Sequence, residues 1–221
     1  MRFIEIVFRG GIGNQLFQYA AAKALMQKGD ILLFNLDSYK NDYVKRQFGL
    51  FNYVISGIHN EKILVNSLLK KDTFFRQWLK KRGLLVDISE DQYADKEQIQ
   101  KALTFYSILN GYWQSELYFE TIKSELIDQF RPRVSFALPD IFSQKNTVAV
   151  HVRRTDYLVN ERYGVLSMDY YNKAMQFFKT KIFNPIFIIF SDDLEWCKKN
   201  MLDDNLFYFE DSKFSADYFQ L

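Results

Sequence analysis

RFIEIVFRGGIGNQLFQYAAAKAL, at residues 2–25, decides the fold because two hydrophobic periods follow one another within it. Its opening RFIEIVF is a β-branched and aromatic run, which is typical of a buried strand. From Asn14 onward the apolar residues recur at helical spacing, and Gly29 supplies a stop. ILLFN at 31–35 is a second strand candidate. A strand, a glycine loop, a helix and a strand in this order predict a βαβ unit of a parallel sheet.

The later part of the chain repeats this alternation of strands and helices. TVAVHV at 147–152 and PIFIIF at 185–190 are strand candidates, and MDYYNKAMQFFKT between them is a helix candidate. DLEWCKKN then predicts a short helix, LFYF a further strand and SADYFQL the start of another helix. The middle is less regular, with a mostly helical pattern over 61–82 and a strand pattern in LTFYSIL at 103–109. The chain is therefore expected to be an α/β protein.

A polar stretch with two prolines, RPRVSFALPD at 131–140, predicts a domain boundary. We expect an N-terminal domain over 1–135 and a partial C-terminal domain over 136–221. The second sheet is expected to be incomplete, because the chain ends just as a further helix pattern begins.

Composition excludes several classes of protein. A net charge of +2 lacks the basic excess of a dedicated nucleic-acid binder, so no nucleic-acid partner is expected. Cys197 is the only cysteine, so no internal disulfide can form and a reducing compartment is indicated. The sequence contains neither an apolar run near the roughly 20 residues of a membrane span nor a signal-peptide pattern. A cytoplasmic protein is the expectation.

The glycine loop offers a first candidate binding site, at Gly11, Gly13, Asn14 and Gln15. Glycines allow a positive φ and let backbone N–H groups approach a ligand closely. The start of the following helix favours a phosphate or a carboxylate. A second interpretation is a tight turn in which Asn14 is the N-cap. A dinucleotide-binding fingerprint is disfavoured, because its third glycine would fall at Leu16.

A basic cluster at the end of the TVAVHV strand offers a second candidate site. Its candidate residues are His151, Arg153, Arg154 and Asp156. Ligands of open α/β sheets bind beyond the carboxyl ends of strands, and an arginine fork can hold phosphate oxygens at two points. A surface arginine–aspartate pair beside a satisfied histidine remains the alternative.

An acidic turn, Ser191-Asp192-Asp193, follows the PIFIIF strand. These side chains can hydrogen-bond a nucleotide base or ribose, or else Ser191 or Asp192 can cap the helix that begins near Leu194. A metal site is disfavoured, because the sequence lacks a D-x-D between apolar flanks and has only two histidines.

Four stretches together, GGIGNQLFQYAAAKAL, GYWQSELYF, HVRRTDY and FSDDLEW, resemble the bacterial α-1,2-fucosyltransferase family over essentially the whole chain. The resemblance implies a GT-B arrangement, with two Rossmann-like halves facing a cleft and a C-terminal half that binds GDP-fucose. It also implies inversion at the fucose anomeric carbon, and a galactose 2-hydroxyl of a glycan as the nucleophile. GDP-fucose would be a co-substrate, and no cofactor or metal is expected.

The resemblance also implies roles for individual residues. Arg153 and Arg154 match the arginines that hold the diphosphate, and His151 and Asp156 match the other fixed positions of that motif. The remaining matches are the loop that faces the donor, Asn14 and Gln15, and the acidic pair, Asp192 and Asp193.

Two departures from the family pattern bear on activity. Thr155 stands where a glycine is common, a change that is expected to stiffen the turn. The family continues past the position of Leu221 with a Ser- and Trp-rich segment, so the chain is expected to be short at its C-terminus. The alternative function is therefore a truncated, non-catalytic or weakly active nucleotide-sugar-binding protein.

Two aromatic features, the 70–82 pattern and Trp113, each allow two interpretations. The basic and aromatic pattern over 70–82 is either a solvated helix face or a peripheral membrane contact that brings the enzyme to lipid-linked glycans. Trp113 either lines the acceptor side with Gln114 or belongs to the core.

Overall fold

The computed structural model describes residues 1–41, 47–59, 73–92, 95–133, 139–159 and 164–210. The chain divides into two compact units, one formed by residues 1–135 and the other beginning at Phe136. Each unit has a sheet of parallel strands with helices in the connections, so the predicted α/β class is confirmed. Within the described ranges, no helix is both long enough and apolar enough to cross a membrane.

The first unit contains a five-stranded parallel sheet. Its strands are β1 (Phe3–Val7), β2 (Ile31–Asn35), β3 (Ile58–His59), β4 (Leu85–Ser89) and β5 (Tyr106–Asn110). Its helices are α1 (Ile12–Leu25), α2 (Phe74–Lys81), α3 (Lys96–Ala102) and α4 (Lys123–Gln129). Short 3-10 turns lie at Asp37–Asn41, Leu50–Asn52, Glu90–Gln92, Glu116–Tyr118 and Glu120–Ile122.

The strand order β3-β2-β1-β5-β4 makes the carboxyl ends of β1 and β5 neighbours. A Rossmann half runs 3-2-1-4-5, so the last two strands of this sheet are exchanged relative to that order. The sheet grows in one direction from β1 to β3 and in the other direction through β5, so its switch point lies between β1 and β5. Ligands of open α/β sheets bind outside the strand ends at such a point.

Helix α1 is buried on more than one side and contributes several small residues to the core that it shares with β1. Ala20, Ala21 and Ala22 are almost fully buried, and the β1 side chains Ile4 and Ile6 are completely buried in the same core. Alanine side chains let the helix backbone approach the strand.

The second unit contains a three-stranded parallel sheet of order β6-β7-β8. Its elements are β6 (Thr147–Val152), α5 (Thr155–Leu158), α6 (Met168–Lys181), β7 (Ile186–Ser191), α7 (Leu194–Asn200) and β8 (Leu206–Tyr208), preceded by a 3-10 turn at Asp140–Ser143. Cys197, on α7, is fully buried in the core with Phe187 and Ile189. Burial raises the pKa of its thiol.

Several elements differ from the sequence predictions. Strand β4 and helix α3 were not predicted, and α1 begins at Ile12, two residues before the predicted start. Only the end of the helical pattern over 61–82 is described, as α2, because residues 60–72 lie outside the described ranges. The predicted final helix in SADYFQL also lies outside them.

A buried carboxylate joins the starts of β1 and β2. Both oxygens of Asp30 accept hydrogen bonds from Arg2, including one of 2.6 Å from Nη2, and the Gln27 backbone N–H adds another at 2.9 Å. The Asp30 side chain is only 3% exposed. Desolvation alone would raise the pKa of Asp30, but the hydrogen bonds from Arg2 and Gln27 outweigh it and hold that pKa below 3.8.

Asp30→Asn is expected to lower the free energy of unfolding at pH 7 by about 2 kcal/mol, because the Arg2 guanidinium loses its charged acceptor. The stabilisation in the native protein is complete above the unfolded-state pKa near 3.8 and is lost as the pH falls through the lower folded-state pKa. Urea unfolding followed by circular dichroism should therefore show a smaller difference between the two proteins in acid than at pH 7.

The matched control is Asp37→Asn, because Asp37 pairs with Lys40 on the surface and its side chain is 74% exposed. That change should cost less than about 1 kcal/mol at either pH. An Asp30→Asn difference that stays constant between neutral and acid pH would contradict this account of the Arg2–Asp30 pair.

Candidate functional site

The glycine loop between β1 and α1 is shaped by Gly10. Its φ is +80°, a conformation that favours glycine, and a Cβ atom there would lie 2.3 Å from Nδ2 of Asn14 and displace that side chain. Gly11 is the N-cap residue of α1, and no side chain caps the helix. The interpretation of Asn14 as N-cap is therefore wrong, because the helix begins earlier and Asn14 lies inside its first turn.

Gln15 has an internal role. Its side chain is fully buried, and its Nε2 donates to the carbonyl oxygens of Gly10 at 3.1 Å and Gln47 at 2.9 Å. Its Oε1 accepts from the backbone N–H of Gly49 at 2.8 Å. The amide thus ties the glycine loop to the 47–49 segment, and its proposed contact with a ligand finds no support in this geometry.

Gln18 ties the same loop to β5, and sequence reasoning missed it. Its Oε1 accepts from the Arg9 backbone N–H at 3.2 Å, and its Nε2 donates to the Gly111 carbonyl at 3.0 Å. The side chain is fully buried. A signal was present, because Gln15 and Gln18 lie three residues apart, on the face of α1 that also contains Ala22.

A polar cluster lies at the switch point, on the carboxyl ends of β1 and β5. Arg9 Nη2 donates to Asn110 Oδ1 at 3.3 Å, and the Arg9 guanidinium carbon lies 5.8 Å from the centroid of the Tyr112 ring. Gln114 Nε2 donates to Asn14 Oδ1 at 2.7 Å. The cluster combines donors, acceptors and one aromatic face, which is a set of groups suited to sugar hydroxyls and sugar rings.

Glu90 holds the turn that follows β5. Its Oε2 accepts from the backbone N–H groups of Tyr112 and Trp113, both at 2.8 Å. Trp113 has a φ of +56° and is completely buried, where its ring meets the Tyr118 ring edge-on at 5.3 Å between centroids. Trp113 is therefore a core residue, and the partly exposed Tyr112 and Gln114 are the neighbours that can meet a ligand.

In the second unit, Asp192 holds the turn that contains the basic cluster. One oxygen accepts from the Arg154 backbone N–H at 2.8 Å, and the other accepts from the Thr155 N–H at 3.2 Å and the Thr155 hydroxyl at 2.6 Å. The Asp192 side chain thereby joins the end of β7 to the turn after β6. The expectation that Thr155 stiffens this turn has a physical basis in its hydroxyl.

Arg154 is clamped between an acid and an aromatic ring. Its Nε donates to Asp193 Oδ2 at 3.3 Å, and its guanidinium carbon lies 3.7 Å from the centroid of the Trp196 ring. Asp193 is also the N-cap of α7, since its other oxygen accepts from the Trp196 N–H at 3.2 Å. The predicted capping by Ser191 or Asp192 is therefore wrong. Ser191 Oγ instead accepts from the Asp193 N–H at 2.9 Å.

The other candidates of the basic cluster lie at the same strand end. Arg153 is partly buried, with its guanidinium carbon 5.1 Å from the centroid of the Tyr157 ring, and His151 is exposed near the end of β6. The side chain of Asp156 lies outside the described part of the structure. Arg153 and Arg154 thus put two permanent cations beyond a strand end, where an anionic group can bind.

Across the described part of the chain, no three His, Cys, Asp or Glu side chains lie close enough to hold a metal ion. The carboxylate oxygens of the acidic pair, Asp192 and Asp193, accept hydrogen bonds from Arg154, Thr155 and Trp196. Metal independence stays a prediction that only solution measurements can test.

Comparison with known proteins identifies the family. The model of Glycosyl transferase family 11 matches residues 3–218. An alpha-1,2-colitosyltransferase of Escherichia coli is 31% identical over 215 residues, which cover 90% of this chain and 72% of that protein. The O-antigen biosynthesis glycosyltransferase WbnK of Escherichia coli is 26% identical, covering 90% of this chain and 76% of that protein. Galactoside alpha-(1,2)-fucosyltransferase 2 of Mus musculus is 25% identical, and the match covers 87% of this chain and 53% of that protein.

The matched region contains both the glycine loop and the turn with the two arginines. The resemblance drawn from the four sequence motifs is thereby confirmed, and the chain belongs to glycosyl transferase family 11.

Proposed function

We propose that the protein is an inverting glycosyltransferase that moves fucose from GDP-fucose to the 2-hydroxyl of a galactose residue in a glycan. The observation that carries this proposal is the turn after β6, where Asp192 fixes the backbone and Asp193 and Trp196 clamp Arg154. The α-1,2 linkage and the galactose acceptor are supported by the names of the relatives, which include an alpha-1,2-colitosyltransferase and a galactoside alpha-(1,2)-fucosyltransferase.

The reaction requires stabilisation of a departing diphosphate. The acceptor oxygen forms a bond to the fucose anomeric carbon while the bond from that carbon to the phosphate oxygen breaks, and the electron pair leaves with GDP. Cations that are held in place before the reaction stabilise this developing charge, and one lost donor typically costs about 3 kcal/mol of transition-state stabilisation. Arg153 and Arg154 are proposed to supply these cations in place of a metal ion.

Arg154 is suited to this role because its orientation is fixed in advance. It uses its Nε–H for Asp193, and a guanidinium has four further N–H donors with which to meet phosphate oxygens. The stack on Trp196 restricts the plane of the fork. The proton of the acceptor hydroxyl is proposed to pass to His151 or Asp156, since an imidazole or a carboxylate can take it.

The polar cluster of the first unit is proposed to bind the acceptor. Arg9, Asn14, Tyr112 and Gln114 offer donors, acceptors and a ring at the switch point of the sheet. A glycan of a bacterial surface polysaccharide, held on a lipid carrier, is the proposed acceptor class, which the O-antigen relative supports. A common cleft between the two units stays a prediction.

A second candidate donor is a colitosyl nucleotide. Colitose is fucose without its 3-hydroxyl, and the relative that is 31% identical is an alpha-1,2-colitosyltransferase. The two donors present the same diphosphate chemistry to the arginines. Competition between the two GDP-sugars in one reaction would decide which sugar is preferred.

GDP is expected to raise the melting temperature of the folded protein by mass action. With GDP-fucose and a panel of galactose-terminated acceptors, GDP should be released only when an acceptor is present, and a chelator should leave the rate unchanged. Product linkage analysis should give an α-1,2 bond.

Absence of a thermal shift at millimolar GDP would contradict donor binding. Binding of GDP without release from GDP-fucose, across all acceptors, would favour the non-catalytic alternative.

Arg154→Lys is expected to lower kcat/KM by about 100-fold, because lysine keeps the charge but loses the planar fork and the stack on Trp196. Arg153→Ala should weaken GDP binding by a similar factor, measured by calorimetry. Arg131→Ala is the control, since Arg131 forms a surface pair with Asp128 and both side chains are 71% exposed. Unchanged donor affinity in both site variants would place the diphosphate elsewhere.

Thr155→Val is expected to raise the KM for the donor about tenfold, because the Asp192 carboxylate loses a hydrogen bond of roughly 1.5 kcal/mol and the turn is less firmly held. Thr155→Ser keeps the hydroxyl and should retain nearly native kinetics. If valine and serine behaved alike in steady-state assays, the hydroxyl would have no part in positioning the arginines.

A further inference from the structure

The outer face of α2 exposes three aromatic side chains to solvent. Phe74 is 83% exposed, Phe75 is 41% exposed and Trp78 is 39% exposed, and the last two rings are stacked with centroids 6.1 Å apart. Burial of an aromatic ring is strongly favourable, so three exposed rings on one short helix form a candidate interaction site.

The inner face of α2 is firmly attached to the sheet. Leu79 is 3% exposed, in a core with Leu85 of β4. Arg76 Nη2 lies 3.1 Å from Asp87 of β4, and Lys80 contacts the same carboxylate. The helix is therefore held in place, and the exposed aromatic rings are a fixed feature of the surface.

The aromatic face is bordered by positive charge. Residues 74–82 contain four basic residues, which are Arg76, Lys80, Lys81 and Arg82, and no acidic residue. Lys81 and Arg82 are exposed at the end of α2, and the Arg82 guanidinium carbon lies 5.2 Å from the centroid of the Trp78 ring. Aromatic rings beside cations match the two layers of a bilayer surface, where acyl chains lie beneath anionic headgroups.

We propose that this surface, formed by Phe74, Phe75, Trp78, Lys81 and Arg82, docks on an anionic lipid bilayer. The charge complementarity selects a lipid surface with negative headgroups over a neutral one. The attachment is reversible and salt-sensitive, because a helix of eight residues inserts only a few rings. It is independent of the donor site, which lies in the other unit.

The test is sedimentation of the full chain with vesicles, without nucleotide. The protein should bind vesicles of phosphatidylcholine mixed with phosphatidylglycerol, bind pure phosphatidylcholine far more weakly, and dissociate as salt is raised. Phe74→Ser should weaken the partition about tenfold. Lys81→Glu should weaken it about twenty-five-fold, because losing one cation near such a surface costs about fivefold and adding an anion there costs about fivefold again.

Matched controls lie on the second unit. Phe183→Ser removes a ring that is 96% exposed, and Lys145→Glu reverses an exposed lysine, so neither should change the partition. Trp78 gives a second readout. Its emission should shift to the blue on vesicles, and Trp78→Phe should abolish the shift while the protein still binds.

Three results would overturn the proposal. One is no preference for the anionic vesicles, and another is an equal effect of the α2 variants and their controls. The third is a dimer in solution that Phe74→Ser converts to a monomer, which would assign the surface to a second copy of the chain.

Discussion

Capture of backbone N–H groups by side-chain oxygens at the strand ends is the interaction on which both candidate sites depend. A parallel strand leaves backbone N–H groups unpaired where it ends, and these groups must find side chains or water as partners. Glu90 takes two such groups after β5, and Asp192 takes two after β6. The Gln18 amide does the same for Arg9 after β1. Each capture fixes a turn whose exposed side chains remain available to a ligand.

Some side chains hold the turn and others remain available to a ligand, which explains why the acidic pair of the second unit lies next to its arginines. Carboxylates beside a phosphate site reduce its positive charge, which weakens anion binding. They also hold Arg154 in one orientation, so that little side-chain entropy would be lost in the proposed contact with a phosphate. Asp192 contributes mainly through the backbone, since its oxygens meet the N–H groups of Arg154 and Thr155. The net effect is a cation with a fixed direction.

The sequence predicted most reliably those elements whose apolar residues follow one hydrophobic period with few interruptions. Strands β1, β6 and β7 and helices α1 and α6 are of this kind. Strand β4 was missed because two of its five residues, Asp87 and Ser89, are polar, and α3 was missed because it has few apolar residues. The candidate sites were predicted from the strand ends, but the hydrogen-bond partners of their residues were not predictable. Arg154 and Asp192 are 38 residues apart, and no local pattern indicates the contact between them.

The alkylation rate of Cys197 can measure how often the second unit opens. It is the only cysteine in the chain, and it is fully buried in the core of that unit, with a pKa that burial raises. A thiol in this state reacts with an alkylating reagent only when the surrounding core opens. The rate of alkylation therefore reports the opening of the second unit alone. The opening rate of the unit that contains Arg154 can thus be measured in the intact chain, because the first unit contains no cysteine.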